Sequence, residues 1–78
     1  MAQKNEEAKT MFDKATNLSE GDRFEVFGES LKVGHIRRSA ASLTIMVWGS
    51  HEDQTQPPRY DLVVDARHET VEFQSVRA

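Results

Sequence analysis

Leu43 to Trp48 is a run of apolar and β-branched residues in which Thr44 is the only polar member. Six residues are too few for a stable helix, and these are strand formers, so the run reads as the central strand of a sheet. Side chains alternate across a strand, which sets Leu43, Ile45 and Val47 on one face and Thr44, Met46 and Trp48 on the other. Neither face is properly polar. A strand of this kind needs cover on both sides, and the rest of the chain offers convincing cover for only one of them.

The 78 residues suffice for a single domain, 1–78, with no room for a second core. A chain of this size buries roughly 60% of the surface that its unfolded form exposes, so oligomerisation or partner binding is the expected supplement to a small core. Cysteine is absent, which excludes disulfides, thiolate metal sites and a cysteine nucleophile. The net charge of −3 argues against a non-specific nucleic-acid binder, which normally carries a basic excess. The start Met1 to Glu7 has no apolar stretch after Lys4, so no secretory signal is expected, and no run approaches membrane-spanning length. A soluble, cytoplasmic protein is the resulting expectation.

The spacing of Ala8, Met11, Phe12 and Ala15 predicts a helix over about 6–16 with one apolar stripe. Asn5 serves as its N-cap, Glu6 and Glu7 complement its dipole, and Asn17 closes it in a left-handed conformation that turns Leu18 back toward Phe12. Five strands follow, over about 23–27, 31–38, 43–48, 60–65 and 70–76. Gly21 marks the turn into the first, Gly28-Glu29-Ser30 joins the first two, and Gly34 breaks the alternation of the second as a bulge would. The segment 49–59, polar and ending in Pro57-Pro58, is expected to be a flexible loop. The whole reads as an α+β fold, with an N-terminal amphipathic helix packed on a curled five-stranded antiparallel sheet that approaches a small SH3-like barrel. Leu18-Ser19-Glu20-Gly21-Asp22-Arg23-Phe24 is similar to the turn that leads into such barrels.

Alternation assigns Phe24, Val26, Leu31, Val33, Leu43, Ile45, Val47, Tyr60, Leu62, Val64, Val71 and Phe73 to the core face. The opposite face receives Phe27, Ile36, Met46, Trp48 and Val63 among polar residues, the anatomy of an interface with a polar rim. The expected function is a non-enzymatic protein-interaction module, an adaptor or inhibitor that binds a protein partner or itself as a homodimer through that patch. Closure of the sheet, or a fold-back of the long loop, would instead make these residues a second small core.

The alternative function is a nucleic-acid-binding small barrel that uses Lys32, Arg37, Arg38, Arg59 and Arg67 for phosphates and Trp48 for stacking. His35, His51 and His68 repeat no metal spacing, and no cofactor is expected. No nucleophile elbow or phosphate loop is present. Asp61 and Asp65 would stand on the order of 13 Å apart on a strand, too wide for a glycosidase pair. No catalytic residue and no small-molecule substrate is therefore assigned. Pro57-Pro58-Arg59-Tyr60 fits the PPxY pattern of WW-domain ligands, but Tyr60 is better used as the first inward residue of the fourth strand.

Overall fold

The structure, a computed structural model, describes residues 11–76. It is a five-stranded antiparallel sheet curled into a half-barrel, with one short helix, α1, at 11–16. The strands are β1 (Arg23–Val26), β2 (Glu29–Arg38), β3 (Ser42–Gly49), β4 (Tyr60–Asp65) and β5 (Thr70–Ser75). They pair in chain order, each antiparallel to the next, so β1 and β5 are the two edges. The part of the expected helix over 6–10, with its N-cap and first-turn glutamates, lies outside the described residues.

The core gathers on the concave face. Phe24, Leu31, Val33, Ile45, Val47, Leu62 and Val64 are fully buried there, and Tyr60, Val71 and Phe73 pack against them in part. Each full burial contributes about 1.5–3 kcal/mol relative to exposure, so these side chains dominate the stabilising side of folding. Register reproduces the alternation across the strands, with Ile36, Ile45, Leu62 and Phe73 opposite one another in turn. Ala15 and Leu18 close the mouth of this face, with Met11 and Phe12 against it.

Gly34 is the bulge. Register shifts between Val33 and His35, so one extra residue inverts the phase of β2. Ile36 thereby returns to the core side, which corrects its assignment to the outer patch, while His35 and Arg37 take the outer face. Asn17 also departs from expectation, since Phe27 and Glu69 are the non-glycine residues with positive φ. Asn17 closes α1 with its side chain instead. Its Nδ2 donates to the Asp13 carbonyl at 2.8 Å, and the Leu18 amide donates to Ala15 at 3.2 Å.

Candidate functional site

Trp48 comes off β3 on the outer face, opposite Lys32, yet it is only 5% exposed. The loop 50–59 covers it. Its indole Nε1 donates to the Gln56 carbonyl at 2.8 Å, so the polar atom of the ring is satisfied where it is buried. The far side of the ring lies on the backbone at Gly34, where a Cβ would collide with the six-membered ring. The bulge glycine and the loop together make a slot for one side chain.

The loop makes hydrogen bonds at several points, within itself and to the sheet. Glu52 Oε1 accepts the Gly49 amide at 2.7 Å, and the Glu52 amide donates to the Gly49 carbonyl at 3.0 Å. Arg59 donates to Glu29 at the start of β2 and reaches Glu52 at 3.5 Å. The charge of Glu52, more than that of Glu29, raises the Arg59 guanidinium above its ordinary value, against an opposing effect of burial. Asp53 accepts the Thr55 hydroxyl and amide, hydrogen bonds that hold its carboxyl below the usual range. Beside Trp48 a cleft of about 220 Å³ is lined by Lys32, Gly34, Glu52, Asp53 and Gln54. That is below the volume of a drug-sized ligand site.

The five residues expected to form one apolar patch are therefore dispersed. Met46 and Val63 are half-buried on the outer face, Trp48 is under the loop, and Ile36 is on the core side. Phe27 does not lie on that face either. Phe27 and Gly28 have φ of 55° and 72°, the two left-handed positions of a tight hairpin turn that joins Val26 to Glu29. The turn swings the Phe27 ring to the rim of the concave side, edge-on to Phe73 at 5.0 Å between centroids. Phe73 in turn stacks with Phe24 and meets Tyr60 edge-on, both at 6.2 Å. Tyr60 is thus used inward, as the first residue of β4.

The basic residues do not converge. Lys32, opposite Arg23, and Arg37, opposite Thr44, are exposed on the outer face of β2. Arg38 pairs with Leu43 at the opposite face, Arg59 is engaged by two glutamates, and Arg67 is in the β4–β5 turn. His68 Nδ1 lies 2.8 Å from Asp65 Oδ2, and His35 Nδ1 lies 3.6 Å from Glu20. Among the described residues no group of three or more His, Asp and Glu could hold a metal ion, and no helix is long and apolar enough to cross a membrane.

A different surface stands out. Phe27, at 66%, and Val76, at 41%, are the exposed large hydrophobic residues among those described, and both adjoin β5. Among the described strands β5 pairs with β4 alone. The Val76 amide donates to the Arg59 carbonyl, which sets the phase of the ladder. Continued by twos, it turns Glu72 and Gln74 toward β4 and leaves the N–H and C=O of Val71 and Phe73 on the outside edge. The strand contains no proline, lysine or glycine, the residues that usually blunt such an edge. Alternation placed Val71 and Phe73 in the core and missed this edge. The signal was available: the last strand of a meander is an edge, and a glycine after Phe27 suits a two-residue turn. Comparison with protein families, with curated proteins and with solved structures found no match.

Proposed function

We propose that this chain is a non-catalytic protein-interaction module whose working surface is the open edge of β5 together with Phe27 and Phe73. The observation that carries this reading is the position of the exposed hydrophobics, Phe27 and Val76, beside a strand edge that no other described strand pairs with. Phe27 adds weight because of its backbone. A bulky residue in the left-handed region costs about 1–2 kcal/mol where Asn or Gly would cost little, and strain of this kind persists where a side chain has a task. Main-chain hydrogen bonds to Val71 and Phe73 would hold an extended segment of the partner, and the aromatic rim would select its side chains. The module would act as an adaptor or inhibitor, by occlusion or scaffolding.

The nucleic-acid alternative has less to rest on. Its stacking residue, Trp48, is covered, and its five cations are spread over two faces and a turn. Selection of short extended peptides from a displayed library tests the reading. Binders are expected to protect the amides of Val71 and Phe73 from hydrogen exchange, at an affinity that changes little with added salt. They should be lost in Phe27→Asn. Binders that protect other strands, or no binders at all, would overturn it.

A further inference from the structure

We infer that the outer face of the sheet docks a second copy of this chain, face to face, about a two-fold axis normal to the sheet through the middle of Thr44, Met46, Asp61 and Val63. Register fixes what that face presents. One row crosses β2, β3, β4 and β5 as His35, Met46, Asp61 and Gln74, and the next as Arg37, Thr44, Val63 and Glu72. The four central side chains are half-buried and the four flanking ones are exposed. The β2 flank carries an imidazole and a guanidinium, both donors, whereas the β5 flank carries a carboxylate and an amide oxygen, both acceptors. A half-turn about the centre lays each flank on its opposite. The face is thus complementary to itself, which selects a second copy as its occupant.

The half-turn makes four contacts, each twice. Met46 meets Val63. Thr44 meets Asp61, whose Oδ1 is buried with no hydrogen-bond partner, so the hydroxyl brings that carboxylate the donor it lacks. Arg37 meets Gln74, whose amide nitrogen lies 3.3 Å from Glu72 of its own chain, which leaves the Gln74 oxygen to accept from the guanidinium. His35 meets Glu72 with the ring nitrogen that is not turned to Glu20. The nearest other axes oppose unlike groups. Centred on the first row, the axis sets Met46 on Asp61; centred on the second, it sets Met46 on Asp65 and Thr44 on Val63. Placed on β3 it sets His35 on Val63, and on β4 Met46 on Glu72. The sheet curls away on both sides, so the central side chains touch first and the longer flanking ones close the gap. The loop over Trp48 stands at one end of the face, and the half-turn carries it to the Asp65 end of the second copy, clear of the other loop. The outward backbone of Val71 and Phe73 takes no part, so this contact is independent of strand addition at β5.

Sedimentation equilibrium of the full chain over a wide concentration range tests this, alongside Gln74→Lys and the double variant Gln74→Lys with Arg37→Glu. A contact of this size gives a weak dimer that assembles as concentration rises. Gln74→Lys sets a cation against Arg37 twice and is expected to weaken the dimer by roughly three- to tenfold. Adding Arg37→Glu turns both contacts into ion pairs and is expected to restore the dimer to at least its original strength. Within one chain β2 and β5 are three strand spacings apart, about 14 Å, so such a rescue reports a contact between copies. Thermal unfolding of each variant at high dilution checks that the folded monomer is kept. Weakening followed by rescue supports the placement. A dimer that ignores both changes, a dimer weakened without rescue, or a monomer at every concentration overturns it.

Discussion

Trp48 and Phe27 are two large aromatic side chains that plain alternation assigns to the same face, yet one is 5% exposed and the other 66%. Neither ring differs much in hydrophobicity. What differs is the chain beside each. Next to Trp48 a bulge without a Cβ and a loop with a well-placed carbonyl build a slot that fits and satisfies the indole. Next to Phe27 there is a two-residue turn, too short to cover anything, and a strand edge that ends the sheet. Burial follows from what the flanking segments can reach.

The largest expected effect is at the covered site. Trp48→Ala removes a buried ring and the hydrogen bond that anchors Gln56, and should lower stability by about 3 kcal/mol. Urea unfolding followed by far-ultraviolet circular dichroism measures it. A loss below about 1 kcal/mol would mean that the loop is no cover at all. Gly34→Ala attacks the same slot from the other side. The added methyl must displace either the ring or the backbone of β2, at a cost of about 2 kcal/mol, and tryptophan emission should shift toward that of a hydrated indole. Unchanged emission and stability would show that the ring has room to spare.

Phe27→Asn sharpens the comparison because two effects oppose. Relief of the left-handed backbone returns about 1–2 kcal/mol, while loss of the ring contact with Phe73 removes about 0.5–1.5 kcal/mol. The net change in stability should stay within about 1 kcal/mol, even as association through β5 falls. A large destabilisation would place Phe27 among the core residues and align it with Trp48 after all.

Much of the architecture could be read from the residues. Twelve core positions were assignable from alternation alone because both faces of a strand differ in burial and a slip by one residue would turn the whole set outward; all twelve lie buried in, or packed against, the core. Gly34 was legible as a bulge from the broken period. Its consequence for Ile36 followed only once register was known, since the same break can be absorbed before or after the glycine. The candidate site was less legible. Whether a polar loop swings free or folds over a tryptophan depends on single contacts, such as Glu52 with the Gly49 amide, that composition does not encode. The β5 edge was hidden for another reason. Periodicity reports which face a side chain takes, whereas an edge is a property of the sheet's order and of backbone groups that have no letter in the sequence.

The smallest expected effect concerns the turn that feeds β5. Asp65 ends β4 and accepts the amides of Arg67 at 2.9 Å and His68 at 3.4 Å, with His68 Nδ1 at 2.8 Å from its second oxygen. The side-chain hydrogen bond of His68 is the main cause that holds the Asp65 carboxyl below its ordinary value; partial burial opposes it, and the two amides add to it. A carboxyl depressed in the folded state stabilises fully above its unfolded pKa and loses that contribution as pH falls through the folded value. The turn should therefore be indifferent to Asp65 from neutrality down to about pH 5 and loosen progressively below about pH 4. Hydrogen exchange at the Arg67 amide, corrected for its intrinsic pH dependence, reads this directly. In Asp65→Asn the acid limb of that profile should vanish. If it persists unchanged, the turn is held by the β4–β5 ladder itself, and acid would leave the edge at Val71 and Phe73 untouched. If it vanishes, acid reaches the β5 edge through its own turn while Trp48, closed in by Gly34 and Gln56 at the far end of the sheet, reports no change.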